Sequence, residues 1–110
     1  MAETPLVDPD RLRALRADYG AVATELVDVY ATTSAGTVAE LRAALAADDR
    51  EEVRRLAHRL KGSARNVGAT GMAELAGVLE AGPPDPAAAL DRLAGAVDPT
   101  CAALRGVLAD

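Results

Sequence analysis

Apolar residues return along this chain at steps of three and four, in stretches separated by short polar turns, which is the spacing of one buried helical face. A first stretch, Pro9 to Tyr19, puts Leu12 and Leu15 inward. A longer one carries Val22, Leu26, Val29, Thr33, Val38, Leu41 and Leu45 and runs to the turn at Asp48-Asp49. A third carries Val53, Leu56, Ala57, Leu60, Ala64 and Val67, and a fourth Met72, Leu75, Ala76 and Leu79. The last stripe, Leu90, Leu93, Val97, Cys101, Leu104 and Leu108, keeps its phase across Pro99. It predicts either two consecutive helical segments or one kinked helix on a continuous seam.

The punctuation agrees with this reading. Asp8-Pro9, Asp85-Pro86 and Asp98-Pro99 each read as a helix start, because the Asp carboxylate accepts from first-turn amides and Pro needs no donor at the first helical position. Asp49-Arg50-Glu51-Glu52 has the spacing of a capping box with Asp as the cap. Gly20 and Gly68 are placed to end helices, and Gly82-Pro83-Pro84 ends the fourth. The segment Thr32-Thr33-Ser34-Ala35-Gly36 is the weak point of the second stretch, where a kink or break is expected. Short connections between amphipathic helices imply antiparallel neighbours. The expected fold is all-α: an up-and-down antiparallel four-helix bundle with a short extra N-terminal helix, forming one domain over residues 1–110.

Composition narrows the class of protein. Ala, Leu and Val dominate the hydrophobic half of the chain, which has no Phe, no Trp and only Tyr19 and Tyr30 as aromatics, so the bias is helical. Charges interrupt every apolar run before the roughly 18 residues a bilayer crossing needs. Residues 1–7, MAETPLV, lack the basic flank and apolar run of a secretory signal, and Cys101 alone can form no internal disulfide. The expected compartment is the cytoplasm. One Cys and one His build no zinc site within the chain. Plentiful Ala and Arg with a single Lys point to a GC-rich bacterial genome.

The net charge of −5 speaks against a general nucleic-acid binder. It is unevenly spread. Between Arg50 and Arg65 six basic residues (Arg50, Arg54, Arg55, Arg59, Lys61, Arg65) outnumber Glu51 and Glu52, so this segment is +4 and the remainder −9. Inside that island stands the only histidine, His58, three residues before the only lysine, Lys61.

Wound at about 100° per residue from Val53, the third stretch gathers its apolar residues between about 300° and about 40°. His58 falls near 140°, roughly opposite the centre of that face, close to Lys61, Arg54, Arg65 and Gly62. The histidine is therefore expected at the surface. Gly62 costs a helix interior roughly 1 kcal/mol relative to Ala. It lies one turn beyond His58, where a side chain would lean back over the ring. A close helix crossing also selects glycine, but Gly62 points away from the apolar face. Arg54, Lys61 and Arg65 stand at i−4, i+3 and i+7 from His58. Such cations disfavour imidazolium and stabilise an arriving anion. An exposed nucleophilic imidazole ringed by cations suits a phosphoryl group. The chain has no P-loop, no Gly-rich nucleotide loop and no acidic metal cluster beside the histidine, so the group must come from and go to another protein.

The residues Ala57, His58, Leu60, Lys61, Gly62, Ser63, Gly68 and Ala69, followed by Leu75, Ala76, Leu79 and Glu80, resemble the central motif of the histidine-containing phosphotransfer (HPt) domains of multistep two-component phosphorelays. The resemblance implies that His58 accepts a phosphoryl group, on Nε2, from the phospho-Asp of a receiver domain and passes it to another receiver. It implies that Lys61 contacts the phosphoryl group or the receiver and that Gly62 permits close approach. Arg54, Arg65 and Arg55 are the expected partner-facing cations. The receiver would bring the Mg²⁺ and the acidic pocket; no cofactor is expected on this chain. Ala64 and Val29-Tyr30-Ala31 depart from common family usage, where a second small polar residue and bulkier aromatics stand.

The leading expectation is thus a covalent phosphoryl carrier, monomeric and without turnover of its own, working with response regulators and a hybrid histidine kinase. An adaptor that docks a receiver or kinase without being phosphorylated is the alternative, yet it would need none of His58, Lys61 and Gly62. A helical nucleic-acid binder is disfavoured by the acidic charge and the lack of stacking aromatics.

Overall fold

The structure is a computed structural model that describes residues 5–109, so the first four residues of the MAETPLV segment lie outside the described residues. Among the described residues the secondary structure is helical throughout: α1 (Pro9–Tyr19), α2 (Val22–Ala46), α3 (Arg50–Asn66), α4 (Thr70–Glu80) and α5 (Pro86–Ala109). The turns between α2 and α5 are short, at residues 47–49, 67–69 and 81–85. Successive helices therefore run antiparallel, as the up-and-down reading expected. α2 packs on α3 and α5, α4 packs on the same two helices, and α1 lies across α2 and α5. No helix of the described residues is long and apolar enough to cross a membrane.

Three aspartates start helices as their spacing predicted. Asp8 Oδ1 accepts from the Asp10 amide at 3.0 Å, Asp49 Oδ1 from Glu52 at 3.1 Å, and Asp85 Oδ1 from Ala88 at 3.0 Å. The capping box at Asp49 is only half formed. The Glu52 carboxylate turns to Arg55 instead, because a guanidinium one turn away offers a charge-assisted bond that a backbone amide does not. The Asp98-Pro99 pair starts nothing, and Pro99 lies inside an unbroken α5. Pro99 and Gly95, whose carbonyl loses its helical donor, are both exposed, so water can take that carbonyl. Burial of Leu93, Cys101 and Leu104 on the opposite side holds the two halves in one helix.

The second stretch buries Leu41 as expected, and Leu26, Val38 and Leu45 pack on the core, but most of its fully buried positions lie one residue from those hydropathy chose. The buried positions of α2 are Ala23, Val27, Tyr30, Ser34, Thr37, Leu41 and Ala44, while Val22 and Val29 are exposed. The weak segment 32–36 does not divide the helix, since α2 runs unbroken from Val22 to Ala46. The hydroxyl of Ser34 donates to the Ala31 carbonyl at 3.2 Å and that of Thr37 to Thr33 at 2.9 Å, so these polar side chains satisfy themselves within the helix and enter the core. Exposed ion pairs border the seam: Glu40 to Arg59 of α3 on one side, Asp28 to Arg105 and Arg42 to Asp91 of α5 on the other. Such pairs contribute little energy each but record the rotation of α2.

α3 matches its helical wheel, with Val53, Leu56, Ala57, Leu60, Ala64 and Val67 all buried. Small residues on the inner faces, Ala57 and Ala64 of α3 and Ala76 of α4, are fully buried and let the two helices approach closely. The turn that joins them is clamped by the segment ahead of α1. The Asp8 amide donates to the Gly68 carbonyl at 2.8 Å, the Gly71 amide to Leu6 at 3.2 Å, and the Thr70 hydroxyl to Pro5 at 2.8 Å. Gly68 has φ +80°, and a Cβ there would stand 3.1 Å from the Asp8 carbonyl oxygen.

Gly68→Ala is therefore expected to lower unfolding free energy by about 2 kcal/mol in urea denaturation, from left-handed strain plus the contact. Gly62→Ala, in a helix interior where an added Cβ meets nothing within 4 Å, is expected to raise it by up to about 1 kcal/mol.

Candidate functional site

The site lies on the outer edge of the α3–α4 pair. His58 leaves α3 opposite the core face, and its side chain is 71% exposed. Lys61, one turn on, leans toward α4, with its stem near Gly77: a Cβ added there would lie 3.6 Å from Lys61 Cδ. Glu80 is the last residue of α4, four residues after the buried Ala76 and next to the buried Leu79, hence at the rim of the core. Its carboxylate receives both α3 side chains. Oε2 stands 2.5 Å from His58 Nδ1, and Oε1 accepts a charge-assisted hydrogen bond from Lys61 Nζ.

The Lys61 hydrogen bond, and after it the His58 contact, hold the Glu80 carboxyl below the usual carboxylate range against an opposing desolvation effect. An ionised carboxylate only accepts. When the ring is neutral, its hydrogen is therefore on Nδ1 and its lone pair on Nε2. Because the folded-state pKa of Glu80 is depressed, its stabilising contribution is present at neutral pH. It is lost as pH falls through that lowered value.

The ring of cations expected around His58 is thus modified. The group in direct contact with the imidazole is acidic, and Lys61 is bound to that same carboxylate. α4 brings Glu80 across the helix interface, a contact that the periodicity of α3 alone does not contain. Arg54 and Arg65 are exposed and have no ion-pair partner among the described residues. Arg55 is also exposed but engaged, its Nε donating to Glu52 Oε2 at 3.0 Å. Gly62 is exposed, and a Cβ there would meet nothing within 4 Å, which rules out a close helix crossing as its reason. Ser63 turns its hydroxyl back to the Leu60 carbonyl at 3.1 Å. Among the described residues no group of three or more His, Cys, Asp or Glu side chains is placed to hold a metal ion.

An exposed histidine with one nitrogen tied to a carboxylate, on a four-helix bundle, can be set beside known proteins. The Hpt domain family model matches residues 25–106. The chain belongs to the Hpt domain family. The chain is also similar to the crystal structure of histidine-containing phosphotransfer protein B from Pseudomonas aeruginosa PAO1. The TM-score is 0.88 over 94% of this chain and 95% of that one, and at 23% sequence identity this likeness speaks to the fold. No curated protein matches the chain. Hpt domains are histidine phosphotransfer modules of phosphorelays, and that is the activity of this one.

The feature that α3 alone did not disclose is the role of Glu80. Its signal in the sequence is an acidic side chain one helical turn after Ala76, at the edge of an apolar face, where a charge is kept only with a partner.

Glu80→Ala is expected to release both contacts. In ¹⁵N-resolved NMR of this Hpt domain the neutral His58 ring would shift from mainly Nδ1–H toward the mixture of an unconstrained imidazole, whereas Glu80→Gln, which retains an acceptor, would preserve most of the Nδ1–H form.

Proposed function

We propose that His58 is the phosphoacceptor and that Nε2 is its reacting atom. The observation that carries this reading is the Glu80 contact at Nδ1, which leaves Nε2 the one ring nitrogen free to react, on a side chain open to a partner. In the step proposed, the Nε2 lone pair attacks the phosphorus of a receiver's aspartyl phosphate. The Nε2–P bond forms as the bond from phosphorus to the Asp oxygen breaks, and the Asp leaves as carboxylate. The Nδ1 proton stays in place. The positive charge that the ring gains on phosphorylation lies against the Glu80 carboxylate, where an opposite charge stabilises it. Reversal of the same step hands the group to a second receiver.

Lys61, held by Glu80, keeps an ammonium beside the ring, while Arg54 and Arg65 stand one and two turns along α3 as unpaired cations for the phosphoryl group or the receiver's acidic pocket. Gly62 leaves the surface beyond the ring clear. The chain acts as a carrier rather than an enzyme with turnover, as a cytoplasmic monomer with its function contained in one domain. Its partners are receiver domains, which bring Mg²⁺, and a hybrid histidine kinase.

Incubation with a phosphorylated receiver and Mg²⁺, followed by intact mass and peptide mapping, tests the assignment. An acid-labile, base-stable adduct on His58 is expected. His58→Gln should show no adduct while keeping its helical circular dichroism, since the side chain is exposed; labelling of that variant would sink the proposal. Gly62→Gln should slow transfer by about tenfold or more without loss of stability, because it brings a long side chain over the ring at a solvent-facing position.

A further inference from the structure

The cations that α3 carries near His58 are not alike. Arg54 and Arg65 are exposed and have no ion-pair partner among the described residues. Lys61 is the opposite case. Its side chain and that of Glu80, which binds its ammonium, are each only 21% exposed, beside a histidine that is 71% exposed.

Direction separates them as well. The Lys61 stem runs across the helix interface, since a Cβ at Gly77, one turn before Glu80 on α4, would lie 3.6 Å from Lys61 Cδ. The ammonium ends on Oε1 of Glu80, while Oε2 of the same carboxylate meets His58 Nδ1. Between Nζ and the reacting Nε2 therefore stand a carboxylate and the ring itself. Were the ammonium to turn to a phosphoryl group on Nε2, it would leave a half-buried carboxylate short of a partner, a loss that neither arginine incurs by meeting that group.

We propose that Lys61 is a positioning residue: it serves the transfer by fixing Glu80, and through Glu80 the His58 ring, and does not contact the phosphoryl group. The inference rests on the assignment of His58 as phosphoacceptor. It divides the cations of one helix between two tasks, Lys61 holding the ring and the two arginines meeting the incoming charge.

Lys61→Met keeps most of the stem and removes the ammonium, and two readouts follow it. In ¹⁵N-resolved NMR of the unphosphorylated protein, the neutral His58 ring of this variant is expected to shift from mainly Nδ1–H toward the mixture of a free imidazole. A lysine reserved for phosphoryl contact would leave that ring unchanged. The second readout is the rate at which phosphoramidate, a small donor that needs no docking, labels His58. Lys61→Met is expected to slow labelling about threefold or more in the wild-type chain and to add little in a Glu80→Ala chain, because residues that act as one unit are not additive. An unchanged ring tautomer, or equal slowing in both chains, would overturn the inference and leave the carrier assignment standing. A wild type labelled neither by phosphoramidate nor by a phosphorylated receiver would overturn the assignment on which it rests.

Discussion

The carboxylate of Glu80 joins two helices at the point where the exposed His58 ring stands. A histidine on an exposed helical face turns freely about two side-chain torsions and exchanges its proton between two nitrogens. Here one acceptor from α4 removes both freedoms, because an ionised carboxylate binds only a donor and its position is set by a neighbouring core. Lys61 completes the arrangement by keeping that carboxylate ionised. The His58 contact itself amounts to little as a source of stability, since His58 is largely exposed. Its value lies in orientation.

Such orientation holds only as well as α3 and α4 hold their mutual register. That register is carried by features remote from the ring: Ala57, Ala64 and Ala76, which bring the helices close, and the turn at 67–69, where Gly68 takes a positive φ. The segment at residues 5–8 fastens this turn through backbone hydrogen bonds to Gly68 and Gly71. Added bulk at either glycine would strike that segment, because Cβ atoms there would stand 3.1 Å from Asp8 O and Leu6 Cα. The glycine-alanine pair that closes the family-like motif is thus a structural device for the site, several residues away from it.

Much of this was legible before the structure. Aspartate caps at Asp8, Asp49 and Asp85 are local chemistry, as is the wheel of α3, whose apolar and charged faces are cleanly separated. The failures share another character. Hydropathy chose Val22 and Val29 over Ala23 and Tyr30 in α2 because hydroxyls at Ser34 and Thr37 look polar in sequence yet bond within their own helix. Asp98-Pro99 looked like a helix start because the pattern contains no term for Leu93, Cys101 and Leu104 packing on both sides of it. The hold of Glu80 on His58 crosses 22 residues of chain, and no periodicity within α3 reaches that far.

The division of α3 into faces also explains how one helix serves both folding and exchange. Its apolar face is spent on the core, its edge on Lys61 and the α4 contact, and its outer face on His58, Arg54, Gly62 and Arg65. Substitutions on the outer face meet solvent, so they change stability little, and the glycine there even leaves stability ungained. A helix under selection for folding alone would replace Gly62 with Ala. That it does not is consistent with a surface shaped by what it meets rather than by folding alone, since a Cβ at Gly62 would touch nothing within 4 Å.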